Sequence, residues 1–223
     1  DFQEDGALIY QDIGLDLLDE AAGVSYSFFE QHQTEITPDQ LEDADSIIAL
    51  TPLVTAASLE GVERLTMLSR FGVGYDSGDV DACTDADVLL TITAGGVNYS
   101  VAESVITFML AISHNVLIKD QLTRKGRWDE RSNHMGSELR DRTLGIIGLG
   151  GIGATLAGMV GSFRMKPVIA HDPFVSGERA QKIGGTLVAL DEPRQTADFV
   201  SVHCPLTDQI GQASCAERVW TPR

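Results

Sequence analysis

Thr143-Leu-Gly-Ile-Ile-Gly-Leu-Gly-Gly-Ile-Gly153 carries an apolar run into the spacing Gly148-x-Gly150-x-x-Gly153 and leaves through Ala154-Thr-Leu-Ala-Gly-Met-Val160. Leu144, Ile146 and Ile147 stand close together, as a strand buried on both faces requires. The small and apolar residues after Gly153 suit a helix lying on a sheet. Strand, glycine turn and helix make the first half of a dinucleotide-binding unit. The first Gly allows the tight turn, the second lets backbone approach a pyrophosphate, and the third lets helix and strand pack closely. The phosphates would sit on free N–H groups at the positive end of the helix. The same spacing also occurs in ordinary glycine turns, and methyltransferases and flavoproteins use related ones, so context has to decide.

Here the context supports a nucleotide. A second apolar strand, Pro167-Val-Ile-Ala170, ends in His171-Asp172-Pro173. Asp172 follows Gly148 by 24 residues, where the fingerprint expects an acid for the ribose 2′-hydroxyl. An acid there repels a 2′-phosphate, so NAD is expected over NADP.

Composition narrows the class. With 223 residues, 43% hydrophobic, the chain suits one large or two modest globular domains with real cores. No apolar run is long enough to span a bilayer, so no membrane partner is expected. No signal peptide is visible, and Cys83, Cys204 and Cys215 are too few and too far apart for a disulfide framework or a metal site. A reducing, cytoplasmic location and no bound metal are expected. The net charge of −17 is lopsided: residues 1–96 hold 20 acids against Arg64 and Arg70, and residues 97–223 hold 13 acids against 14 bases. Nucleic-acid binding needs a basic face, so none is expected. Twelve Arg against four Lys, with Asp in excess of Glu, hints at a salt-adapted source.

Taken in order, residues 6–92 read as short strands alternating with helices, the pattern of a mostly parallel sheet covered on both faces. Strands are expected at 7–10, 24–28, 45–50, 65–69 and 88–92, and helices at 13–21, 56–62 and 80–84. Thr37-Pro-Asp-Gln40 is a strong helix start, with Thr as N-cap, Pro at the first position and Gln closing a capping box. Arg70-Phe-Gly-Val-Gly-Tyr-Asp76 follows a strand end, where Gly72 and Gly74 would either free N–H groups for an anion or form an ordinary turn. Residues 100–119 form the longest helix candidate, apolar nearly all round and therefore expected to be buried between domains or subunits. Residues 119–142 read as a polar arm. Beyond Pro173 the pattern gives a helix over 176–183, a strand over 186–189, a short helix over 191–195 and a buried strand over 198–203.

Arg70 to Asp76, Val101-Ala-Glu103, Thr143 to Gly153, Asp172-Pro173 and Ala197-Asp-Phe-Val-Ser-Val-His-Cys-Pro-Leu-Thr207 stand in an order and spacing that resembles the D-isomer-specific 2-hydroxyacid dehydrogenases, which include phosphoglycerate, glycerate and formate dehydrogenases. The resemblance implies an α/β fold: a flavodoxin-like substrate domain over 1–97, then a Rossmann NAD-binding domain over 98–223 that is C-terminally incomplete. It also implies a cleft between them and, in the intact protein, a homodimer built on the helix over 99–119. The implied reaction passes hydride between NAD and C2 of a small 2-hydroxy or 2-keto acid. Backbone at Val73 and Gly74 would hold the substrate carboxylate, with Val73 also near the nicotinamide. Gly148, Gly150, Gly151, Ile152 and Gly153 would lie under the pyrophosphate, Asp172 would bind the adenosine ribose, and His203, Cys204 and Pro205 would line the adenine side. Gly151 departs from the family, which often carries Arg or Asn there; the resemblance implies loss of a side chain able to contact phosphate, with the helix-end N–H groups remaining.

The family's catalytic Arg, Glu and His come after the His-Cys-Pro segment, and this chain reaches Arg223 without them. A truncated or frame-shifted reading of a longer gene is therefore expected, and no catalytic residue is assigned. His32, His114, His134, His171 and His203 are each expected in structural or solvent roles, and Glu103 as a helix N-terminal charge. The alternatives to an enzyme are a non-catalytic NAD-binding or interaction module and an inactive gene fragment.

Overall fold

The computed structural model describes residues 2–4 and 7–204. The chain divides into two units, residues 1–94 and 95–223.

The first unit opens with β1 (Gln3–Glu4) and β2 (Ala7–Leu8), an antiparallel pair that stands apart from the main sheet. Phe2 packs edge-on against Phe71, with ring centroids 5.2 Å apart. α1 (Asp16–Asp19) is a single turn with no buried residue. No residue from 7 to 35 is buried, and the strand expected over 24–28 does not form. Its alternation has no sheet face to pack on: Val24 and Tyr26 remain exposed. α2 (Pro38–Leu41) starts as expected, with Gln40 Oε1 accepting the Thr37 N–H at 3.1 Å. β3 (Ser46–Ala49), β4 (Met67–Arg70) and β5 (Leu89–Ile92) then form a parallel sheet in that order. α3 (Val80–Asp85) leads into β5 and is capped by Asp79, whose carboxylate accepts the Ala82 N–H at 2.9 Å. Residues 56–62 make successive turns rather than the expected helix, with Leu59 and Val62 N–H bonding back to Ala56 and Leu59 carbonyls. Ile36, Leu41, Ile47, Leu65 and Leu68 fill the core of this unit.

The second unit begins with α4 (Asn98–Ser113) and α5 (Val116–Arg124). The single helix expected over 100–119 is thus two helices, bent by 63°. Asn115 takes the left-handed conformation at the break (φ 53), which Asn tolerates better than most residues. The returning chain fixes the bend. Asn115 Nδ2 donates to the Met135 carbonyl at 3.2 Å, and Ser137 N–H donates to the Ser113 carbonyl at 2.8 Å. Only Gly fits at 136, because a Cβ there would lie 2.6 Å from the Ser113 carbonyl. The expected polar arm is largely ordered, as α5 and a 3-10 segment over Trp128–His134. α4 also departs from all-round burial. Ala102, Ile106, Met109 and Ser113 are buried along one stripe, whereas Phe108, Ile112 and Leu117 of α5 are exposed. Among the described residues, no single helix is long and apolar enough to cross a membrane.

β6 (Leu144–Ile147) is buried at every position, as its apolar run requires of a central parallel strand. α6 (Gly151–Val160) follows the glycine turn, and β7 (Val168–His171), α7 (Gly177–Lys182), β8 (Gly185–Leu187), α8 (Asp191–Thr196) and β9 (Phe199–Val202) complete the described chain. The four strands are parallel in the order β8-β7-β6-β9. The chain therefore starts at β6, winds outward through β7 and β8, and crosses back to place β9 on the other side of β6. That reversal is the switch point at which doubly wound sheets bind their ligands. Leu144, Ile146, Leu149, Leu156 and Ala170 are fully buried around it. Each of the four Leu and Ile side chains contributes roughly 1.5–3 kcal/mol.

Asp198 ties β9 to the start of β6. One carboxylate oxygen accepts the Thr143 N–H at 2.8 Å, and the other pairs with Arg142 at 2.8 Å. Burial alone would raise this carboxyl, but the Thr143 N–H and the Arg142 guanidinium outweigh it and hold it below the ordinary range. Asp198→Ala leaves the Thr143 N–H unpaired and is expected to lower the unfolding free energy of the unit by about 1–3 kcal/mol. Urea denaturation followed by far-UV circular dichroism checks this.

Candidate functional site

Three strand ends converge on Gly148. Its N–H donates to the His171 carbonyl at 2.9 Å, and His203 N–H donates to the Ile147 carbonyl at 2.7 Å. Gly148 has φ +93, and a Cβ there would lie 2.6 Å from the His203 carbonyl oxygen. Both the backbone conformation and the crowding demand glycine. Gly153 is constrained more tightly still: a Cβ would lie 2.2 Å from the Gly148 carbonyl oxygen. Gly150 faces open space, with nothing within 4 Å of where a Cβ would sit.

α6 begins directly under that opening. Ala154 is the first residue of α6 whose N–H bonds back, to the Gly150 carbonyl at 2.9 Å. The N–H groups of Gly151, Ile152 and Gly153 precede it and have no intrahelical acceptor, so they are free for an anion at the positive end of the helix. Three free donors beside the open space over Gly150 suit a diphosphate.

Asp172 sits beside the turn. Its Oδ2 accepts the Leu149 N–H at 2.8 Å and its Oδ1 accepts the Phe174 N–H at 2.8 Å. The carboxylate therefore shapes the glycine turn as well as presenting an acid to a ligand, a second role the sequence did not disclose. Each carboxylate oxygen keeps a further lone pair for a hydroxyl donor.

On the opposite side of β6, His203 and Cys204 flank the turn. The His203 ring lies 2.8 Å from Ser201 Oγ. The Cys204 thiol is pushed up by burial and by the nearby Asp172 carboxylate, so it stays protonated. Pro205 lies outside the described residues. His171 turns the other way, its Nδ1 3.1 Å from the Val188 carbonyl oxygen.

In the first unit, the segment after β4 departs from the expected pair of free amides. Gly72 N–H is taken by the Arg70 carbonyl at 2.8 Å, and Gly72 has φ +150. The Val73 and Gly74 N–H groups make no hydrogen bond within the described residues. Arg70 folds over this turn. Its Nη1 donates to the Phe71 carbonyl at 2.7 Å, while its Nε is buried without a partner. The other base of this acidic unit, Arg64, is paired with Asp45 at 2.9 Å. Arg70 is thus the cation over Gly72, with Nη1 3.0 Å from where a Cβ on Gly72 would sit, while Asp76 Oδ2 lies 3.5 Å from the corresponding position on Gly74. The scarcity of bases among residues 1–96 was the sequence signal for Arg70.

Burial holds the His203 imidazole below its ordinary range. The folded value lies below the unfolded one, so the stabilising neutral ring is fully present above about pH 6.5 and is lost as pH falls through the folded value. His203→Gln is expected to flatten the fall in melting temperature between about pH 6.5 and 5. Parallel profiles for variant and wild type would assign the acid sensitivity elsewhere.

Residues 106–219 match the family model for the NAD-binding domain of D-isomer specific 2-hydroxyacid dehydrogenases. Among curated relatives, a D-3-phosphoglycerate dehydrogenase of Synechocystis is 33% identical over 207 residues, covering 92% of this chain and 36% of the relative. One from Archaeoglobus fulgidus is 38% identical over 156 residues, covering 70% and 29%. Among solved structures, D-lactate dehydrogenase of Aquifex aeolicus, complexed with NAD and lactic acid, matches with a TM-score of 0.70 at 27% identity, covering 79% of this chain and 53% of that one. NAD-dependent formate dehydrogenase of Staphylococcus aureus in complex with NAD matches with a TM-score of 0.68 at 27% identity, covering 77% and 52%. The chain spans about a third of the length of the curated relatives it matches.

Proposed function

This chain belongs to the D-isomer-specific 2-hydroxyacid dehydrogenase family, and we propose that the protein is an NAD-dependent oxidoreductase acting on the CH–OH group of a small D-2-hydroxy acid. One observation carries the reading. At the sheet's switch point, three free N–H groups at the head of α6 face an opening over Gly150, close packing at Gly148 and Gly153 sets the turn that aims them there, and the Asp172 carboxylate lies alongside. NAD, when bound, supplies the hydride acceptor or donor for substrate C2. In this reading the Gly151, Ile152 and Gly153 amides bind the diphosphate, and Asp172 takes the adenosine ribose hydroxyls on its remaining lone pairs. His203 and Cys204 wall the adenine side.

The first unit is the substrate domain in this proposal, with its boundary near residue 97. The Val73 and Gly74 amides hold the substrate carboxylate, and the Arg70 charge supports the same anion. The apolar face of α4 and α5 that carries Phe108, Ile112 and Leu117 is the interface of a homodimer. The protein works in the cytoplasm, away from nucleic acid and membranes.

The dinucleotide part is tested by fluorescence titration of the full chain with NADH and NADPH. NADH is expected to bind at least about tenfold more tightly, because a 2′-phosphate would meet Asp172. Asp172→Ala is expected to weaken NADH and to bring the two affinities together. An equal loss for both cofactors would limit Asp172 to shaping the turn.

A further inference from the structure

The Asn98 side chain occupies the space that a side chain at 151 would enter. A Cβ on Gly151 would lie 2.8 Å from Asn98 Nδ2, 2.9 Å from Oδ1 and 3.1 Å from Cγ. The Asn98 carboxamide makes no hydrogen bond to any described residue, although it is only partly exposed. It stands at the first residue of α4, and Gly151 is the first residue of α6. Further along, Ile106 and Thr107 of α4 line one cavity of about 430 Å³ with Met159 of α6 and Ser162 just beyond it. The two helices therefore run side by side in the same direction, with adjacent N-termini.

Parallel dipoles placed side by side repel at their shared positive ends, and an anion at that end offsets the repulsion. We infer that Asn98 is a second-helix ligand of the diphosphate: its Nδ2 donates a hydrogen bond to a diphosphate oxygen, and Gly151 is small so that the amide can reach there. The donor that the family often places at 151 is delivered from α4 instead. The inference rests on the proposed NAD-binding role of the α6 turn and adds to it a residue outside the glycine fingerprint.

The test uses the full chain and follows binding alone. NADH is titrated by fluorescence, and adenosine, which lacks the diphosphate, by saturation-transfer NMR. Asn98→Ala is expected to weaken NADH about tenfold, as loss of a hydrogen bond to a charged group does, and to leave adenosine unchanged. Asn98→Asp, of nearly the same shape, is expected to weaken NADH further, because it sets an anion against the diphosphate. A purely structural Asn98 would not produce that charge-dependent order. Gly151→Ala, which pushes the amide aside, is expected to weaken NADH in the wild type and to add nothing in the Asn98→Ala background. Wild-type affinity in both Asn98 variants would overturn the inference while leaving the NAD reading intact. Failure of the wild type itself to bind NADH would overturn both.

Discussion

The approach of Gly153 to the Gly148 carbonyl governs this structure. With less than a methyl group's room between them, α6 can begin only where it does, hard against the end of β6. That placement directs the helix's free amides at the space above Gly150 and brings α6 alongside α4. It also sets the turn between the ends of β7 and β9, where His171 and His203 bond its backbone from either side. The fold and the proposed ligand-binding surface share one steric constraint, because any side chain at 153 would move the helix and the donors together.

Polar contacts around that turn reinforce it from outside the fingerprint. Asp172 pulls in the Leu149 N–H from the end of β7, and Asp198 fixes the entry to β6 from the start of β9. Both acids lie in adjacent strands' flanks and both hold backbone N–H groups at 2.8 Å. The glycine turn is thus held rigidly before any ligand arrives, which lowers the ordering cost of binding.

Much of this was legible in the sequence where a local rule decides the outcome. The continuous apolar run of β6, the capping box at Thr37 and Gln40, and the glycine spacing all express short-range constraints, and each element formed where expected. Tertiary partners decided the rest. Val24 to Phe28 alternates like a strand but has no sheet beside it. Residues 100–119 carry helical apolarity throughout, yet Asn115 and the chain returning past Gly136 break them into two helices. At the site, Asp172 was visible as an acid at the right spacing, whereas its bonds to Leu149 and Phe174 depend on three-dimensional placement. Asn98 left no sequence trace, because its relation to Gly151 bridges 53 residues. Arg70 was visible only as a rare base in an acidic unit, and the burial of its Nε without a partner depends on how the turn after β4 folds.

Amide hydrogen exchange with and without saturating NADH addresses the central claim directly. Protection is expected to rise at Leu149 to Gly153, the residues of the glycine turn and the first turn of α6, with the strands of the first unit unchanged. An exchange pattern that NADH alters elsewhere while leaving Leu149 to Gly153 untouched would contradict the assignment of this turn as the dinucleotide cradle.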